Sequence, residues 1–302
     1  MRNTKYETFN LLGFQEKFKN DLDCETYLIK VRWPDGMPCS KCRGLQLYRL
    51  RKNMKYRCES CGHFTSPTAG TILHKTRTPL LVWFWTMFLV AFDKRGHSAL
   101  QLESELGVSY FVAWSLIQRI RRAMGEREAM YKLNDIVELD ETYYGGAVEG
   151  DKRGRGTSKM KVLVALSLSS KFMGFVKMKI VDRIDSDIVK EFIQNGIEKG
   201  SKIITDGLNV YLDLKSIGYI HERRIVGDQK AHEILPSIHT VVSNAKSFIA
   251  GTYHGLDKKH FQYYLDEFCY RFNRRKMHDE LFSRLLLACL RKDEIFYRAL
   301  IR

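Results

Sequence analysis

Proline is scarce, with five in 302 residues. No Pro-rich linker therefore marks a boundary, and no internal repeat or low-complexity tract divides the chain. Long apolar runs are also missing. The longest, Leu80 to Phe92, has 13 residues, whereas a membrane-spanning helix needs ~20. Lys75 and Arg77 precede it and Lys94 and Arg95 follow, so it reads as a buried or interface helix, and no membrane partner is expected. No apolar segment follows Met1, so no secretory signal is expected. Acidic residues are the minority, 35 against 50 Lys and Arg, which excludes an acidic disordered chain. Seven cysteines in a chain of this size, with no signal, do not make a disulfide framework. A reducing cytoplasm is the expected location.

What is present is an ordinary globular composition, 44% apolar and 28% charged. The length allows about two domains. The formal charge of +15 is spread along the chain, with 22 basic and 13 acidic residues through residue 135 and 28 and 22 after it. A polyanion is the leading partner, and nucleic acid is the usual one; an anionic membrane surface fits charge alone equally well. Composition separates three regions: a helical lead with a cysteine module (1–70), a helical region (71–133), and a region that begins with β-type runs and ends in helices (134–302).

Cys39, Cys42, Cys58 and Cys61 form two C-x2-C pairs fifteen residues apart. Thiolate is a soft ligand and four sulfurs at tetrahedral positions suit zinc. Structural Zn²⁺ on a hairpin is therefore predicted. The intervening segment carries Arg43, Arg49, Arg51, Lys52, Lys55 and Arg57, a face for phosphates or simply a solvated strand. Cys24, Cys269 and Cys289 have no partner pattern and are expected to be buried, inert thiols.

From Ser98 to Met124 the pattern predicts two helices. Ser98 and Gln101 make a capping box, Ala99, Leu102 and Leu106 share a face, and Gly107 ends the first helix. Ser109 caps the second, whose stripe is Val112, Leu116, Ile120 and Met124. This is a helix-turn-helix pattern, with an ordinary helical hairpin as the plain alternative. Arg119, Arg121 and Arg122 near its C-terminal end are candidate DNA contacts.

After residue 134 the runs read β-β-β-α-β. Residues 136–141 end in acids, 162–168 are nearly all apolar, 175–181 alternate, a helix starts at Ser186, and 202–206 end in Asp206. A helical crossover is consistent with parallel addition of the fourth strand. The order resembles the ribonuclease H-like fold, in which the first and fourth strands are neighbours. Asp140 and Asp206 would then face each other as ligands for hard divalent cations. Read from spacing alone, either Asp is equally a turn residue.

Six segments appear in order: VELDETYYGG (137–146), RGRGTSK (153–159), ITDGLNVY (204–211), HTVVSNAKSF (239–248), GTYHG (251–255) and YLDEFCYRFNRR (264–275). Together with the cysteine module they resemble bacterial insertion-sequence transposases of the ISXO-like group, over nearly the whole chain from about residue 20. The resemblance implies an α/β protein: a ribonuclease H-like core after a zinc ribbon and a helix-turn-helix region. It implies Mg²⁺ or Mn²⁺ on Asp140, Asp206 and Asn244, with Lys246 following. Asn244 stands where better-known transposases have Glu and brings no charge; Glu141 and Glu233 are possible substitutes, and His239 and His254 could position a phosphate or a water.

The implied function is binding of the element's ends, with metal-dependent strand cleavage and strand transfer. Double-stranded DNA and a homodimer or higher assembly are the implied partners, at the bacterial nucleoid. Lys152, Arg153, Arg155 and Lys159 in the basic loop, and Arg271, Arg274 and Arg275 at the end of a helix with Phe261, Tyr264, Phe268 and Phe272 inward, are candidate DNA contacts. A metal-dependent nuclease or resolvase, and a non-catalytic zinc/helix-turn-helix regulator, are the competing readings.

Overall fold

A computed structural model describes residues 7–50, 54–145, 159–169, 172–225 and 234–291. The chain forms two compact units, Met1–Met124 with Met277–Arg302, and Gly125–Lys276.

The first unit opens with helices α1 (Leu11–Lys17) and α2 (Asp21–Arg32). Each starts on an Asn whose side chain accepts backbone N–H groups, Asn10 from Gly13 and Asn20 from Leu22 and Asp23. A three-stranded antiparallel sheet follows, β1 (Leu47–Arg49), β2 (Tyr56–Cys58) and β3 (Phe64–Thr65), in that order. The apolar run forms α3 (Leu80–Phe92), with Trp83, Phe84, Met87 and Phe88 buried. None of the described helices is long and apolar enough to cross a membrane. A short helix from the chain's other end, α9 (Leu281–Cys289), completes this core: the Phe282 ring meets those of Phe9, Phe14 and Phe84 at 5.1–5.6 Å.

The helix-turn-helix pattern is realised as α4 (Ala99–Leu106) and α5 (Tyr110–Ala129). Ser98 accepts the Gln101 N–H at 3.1 Å, and Gly107 closes α4 at φ 62°, the left-handed conformation that glycine adopts without strain. Leu116, Ile120 and Met124 are buried as their spacing predicts.

The second unit is built on a five-stranded sheet: β4 (Ile136–Tyr144), β5 (Met160–Ser169), β6 (Phe172–Val181), β7 (Lys202–Thr205) and β8 (Ile220–Arg223). Its order is β6-β5-β4-β7-β8. The first three strands pair antiparallel, and β4, β7 and β8 pair parallel. This is the ribonuclease H-like arrangement, with the first and fourth strands side by side. Helix α6 (Ser186–Gly196) makes the crossover, capped by Asp185.

Strand alternation sorts the sheet into two faces. Val137, Leu139, Leu163, Ala165 and Ile203 pack with Val189 and Ile193 of α6. Val162, Val164, Leu166 and Ile204 pack with α7 (Pro236–Thr252) and α8 (Phe261–Asn273). From α8, Phe261, Tyr264 and Phe268 are buried, as the helical spacing of its aromatics predicts.

Candidate functional site

Register and alternation create the carboxylate pair. Leu139 lies opposite Thr205 in the parallel pairing of β4 with β7, so Asp140 and Asp206 occupy the next position on neighbouring strands. Val137 and Leu139 point toward α6; Glu138, Asp140 and Tyr144 therefore face α7. Ile204 also faces α7, and Asp206 keeps its parity. The Asp206 carboxylate accepts the Leu208 N–H at 3.2 Å, which fixes the turn after β7. The Asp140 carboxylate accepts the Glu141 N–H at 2.8 Å.

Asp140 is an acid in an unfavourable place. Burial, with the negative charges of Glu141, Asp206 and Glu138 around it, pushes its pKa up to about 7. Burial also raises Glu138, which is 2% exposed. Glu141 lies on the opposite face, where the fully buried Tyr211 donates to it at 2.9 Å. Burial and the Glu141 charge hold the Tyr211 phenol well above its ordinary value.

Helix α7 also brings a side chain to Asp140: His239, which the sequence marks as able to position a phosphate or a water. His239 Nε2 stands 3.7 Å from Asp140 Oδ2. Asn244 is exposed, and at about 100° per residue it is turned about 140° from His239 around the helix. Helical phase thus sets His239, beside Asp140, and Asn244 on different sides of α7. Lys246 lies seven residues after His239, close to two turns, and shares its side of the helix. Its Nζ is 5.8 Å from the Tyr144 ring centroid. Burial and the neighbouring positive charge of Lys159 hold the Lys246 ammonium below its ordinary pKa. The two lysines therefore lie close enough to feel each other, beyond the carboxylates along β4. Glu233 lies outside the described residues.

Two carboxylates suit a divalent cation of the Mg²⁺ or Mn²⁺ class, and crowded carboxylates at a buried site are relieved by one. The set is open: among the described residues, only the cysteine module brings three or more such ligand atoms within 4.8 Å of one another. Openness is compatible with Mg²⁺, which keeps several waters and uses one or two carboxylates.

The cysteine module is tight. All four Sγ atoms of Cys39, Cys42, Cys58 and Cys61 lie within 4.8 Å of one another, with Cys39–Cys61 at 3.7 Å and Cys42–Cys58 at 3.5 Å. A zinc tetrahedron with bonds of ~2.3 Å has S–S edges of ~3.8 Å. The residues fit structural zinc. Backbone N–H groups hold the Cys39 thiol down to about 6, which favours the thiolate ligand. The other three cysteines are buried, and burial pushes Cys24 up to about 12 and Cys269 well above its ordinary value, as expected of inert thiols.

The candidate DNA-contacting arginines need correction. Arg121 is 3% exposed and donates to the His97 carbonyl. Arg119 is half-buried and donates to the Ile72 carbonyl. Arg274 is 7% exposed, paired with Glu128 and stacked on Tyr270 at 3.7 Å. Arg271 pairs with Glu267, a fully buried acid, and Arg275 donates to the Met173, Gly174 and Phe272 carbonyls. These guanidiniums already hold carbonyls or acids of the protein, which a phosphate would have to displace. Arg122 is half-buried. Lys152, Arg153 and Arg155 lie outside the described residues. Sequence spacing could not reveal the Arg274 pair, because Glu128 is 146 residues away in the chain, whereas Arg271 and Glu267 are four residues apart on one helix.

Residues 19–64 match the transposase zinc-ribbon domain, and residues 132–273 match the ISXO2-like transposase domain. An uncharacterized protein in transposable element ISH50 of Halobacterium salinarum is 23% identical over 209 residues, covering 64% of this chain and 70% of that protein. Two solved Mos1 transposase structures also align. The paired-end complex with the left transposon end is 11% identical, covers 70% of this chain and 80% of that one, and gives a TM-score of 0.28. The strand transfer complex is 11% identical, covers 70% and 79%, and gives 0.27. The two matched domains, a zinc ribbon followed by a transposase domain, together span 188 of the 302 residues, and the chain belongs to the ISXO2-like transposases.

Proposed function

We propose that the protein binds the ends of its own mobile element, cuts the DNA strand there and joins it to target DNA. The observation that carries this reading is the placement of Asp140 and Asp206, 66 residues apart, at adjacent positions on one face of the sheet, with His239 opposite. Asp140, Asp206 and His239 would hold the divalent cations. Bound there, Mg²⁺ or Mn²⁺ would activate the attacking oxygen and stabilise the leaving one in phosphodiester chemistry.

The chain's own side chains do the rest. Glu138 accepts the Ile238 N–H at 2.7 Å and sets the start of α7, which carries His239. Tyr211 ties the segment after Asp206 back to β4 through Glu141. Lys246 and Lys159 present positive charge to the phosphates flanking the scissile bond. His239, as imidazole, completes the ligand set or holds a phosphate oxygen or water beside Asp140. No Ser or Tyr nucleophile is needed. Zinc at the four cysteines holds the ribbon, which with the helix-turn-helix would grip the element's ends. Two paired ends imply at least a dimer on DNA.

The test is marker movement from a donor plasmid carrying the gene's own flanking DNA. Wild type moves the marker; Asp206→Asn and His239→Ala lose it by at least ~10²-fold, the scale of losing a charged group that acts in the transition state; Asn244→Ala stays within a few-fold of wild type. Movement by Asp206→Asn equal to wild type would overturn the reading. Cleavage without joining would make the protein a nuclease or resolvase.

A further inference from the structure

The outer face of the ribbon sheet carries a row of side chains to which no role has yet been given. Tyr48 pairs with Arg57 across β1 and β2, and Arg57 pairs with Phe64 across β2 and β3. The three residues therefore form one ladder across the sheet, aromatic–cation–aromatic, with neighbouring Cβ atoms ~5 Å apart. All three are exposed, Tyr48 by 46% and Phe64 by 52%. The adjacent ladder, Arg49–Tyr56–Thr65, faces the other way. There Arg49 grips the buried Glu25 of α2 through Nε at 3.1 Å and a terminal nitrogen at 2.8 Å. The sheet thus has one face anchored on α2 and one left open.

Two exposed rings flanking a guanidinium on one sheet face offer flat surfaces on which a planar group can stack. The charge around them selects the occupant. Apart from Arg49, which Glu25 holds, the described residues of the ribbon include exposed Lys41, Arg43, Lys55 and Arg57 against one acid, Glu59. A polyanion with flat apolar faces matches both features. Duplex DNA buries its base faces, whereas an unpaired strand exposes them. We propose that Tyr48, Arg57 and Phe64 form a stacking platform for unpaired DNA bases, with Tyr48 and Phe64 each receiving one base and Arg57 meeting the phosphate or base face between them. The inference rests on the DNA-transposase reading only for the strand being DNA. It adds a place, on the unit that does not carry the catalytic carboxylates, where a frayed or cleaved end would be held.

The test uses full-length protein and fluorescence anisotropy with a labelled oligothymidylate of about 15 nucleotides and a labelled duplex of about 20 base pairs. Wild type binds the oligothymidylate. The Tyr48→Ala/Phe64→Ala variant binds it ~10- to 100-fold more weakly and loses less on the duplex. Tyr48→Leu/Phe64→Leu, which keeps apolar bulk without a π-face, behaves like the Ala pair, and Tyr48→Trp/Phe64→Trp binds as wild type. Zinc content and the thermal transition report folding; should the Ala pair lose zinc, the Leu pair decides. Four results overturn the proposal: no oligothymidylate binding by wild type, unchanged binding by the Ala pair, retained binding by the Leu pair, or equal loss on both probes. A Leu pair that keeps binding, with altered self-association in sedimentation, would make the face a protein interface instead. Asp206→Asn separates the two hypotheses, since it abolishes transposition while leaving oligothymidylate affinity unchanged. If it still transposes, the catalytic reading fails regardless of the anisotropy result.

Discussion

Asp266 shows how much a single buried acid can report. It lies on α8, where Gln262 Nε2 donates to it at 2.8 Å, and burial pushes its pKa up to about 7 from 3.8. The folded chain therefore keeps a proton that the unfolded chain releases. Between about pH 4 and pH 7 the folded state binds more protons, so stability falls as pH rises and levels off above. Urea melts across this range should show wild type losing stability relative to Asp266→Asn, which stays neutral and can keep the Gln262 contact. Parallel curves would place Asp266 in water. The same residue constrains Gly125: a Cβ there would sit 2.4 Å from Asp266 Oδ2. Gly125→Ala gains ~1 kcal/mol of helix propensity but drives an atom into a buried carboxyl. A net loss of ~1–3 kcal/mol is expected in denaturant unfolding.

Among the elements, α7 decides the site. Its first turn begins Leu235-Pro236-Ser237-Ile238, and no side chain within it caps the helix. Glu138, a hundred residues earlier, supplies the missing acceptor at the Ile238 N–H. Glu138 and Asp140 are alternate residues of one strand, so the contact that seats the helix is two residues from the carboxylate that His239 faces. Glu138→Ala should cost ~1–2 kcal/mol, the scale of a lost cap, and reduce marker movement at least tenfold by loosening His239. Glu138→Gln keeps an acceptor and should restore most of both. Equal losses in Ala and Gln variants would show that the charge, and not the cap, matters.

For the whole molecule, the division into two compact units sets an expectation for metal removal. Zinc ligation contributes folding free energy to the segment that holds it, and the ribbon strands are short, of two or three residues each. Chelation should open protease cuts within 39–64 while a fragment covering 160–276 resists. Simultaneous digestion of both would mean that zinc holds up more than the ribbon. α9 also belongs to the unit of the N-terminal helices, although the break in composition near residue 134 gave no hint of it. Phe282 finds its aromatic partners nearly two hundred residues or more away, and apolar contact carries no label of sequence distance.

What the sequence by itself determined is what local chemistry dictates. Two C-x2-C pairs select zinc because four thiolates need short turns. Ser98 and Gly107 bound α4 because one accepts a free N–H and the other tolerates φ 62°. Alternation along β4 and β5 sorts their faces, and Asp140 within β4 and Asp206 just past β7 stand where the topology brings their strands together. The tertiary structure decided which side chain met which. Arg121 met an internal carbonyl and Arg274 an internal acid because a buried guanidinium must be paired. His239 took the place opposite Asp140 because rotation about a helix axis, seated by Glu138, selects one residue in seven. The sequence marks His239 only as a residue that could position a phosphate or a water; its seven-residue spacing to Lys246, two turns of one helix, is the local sign that the two share a side.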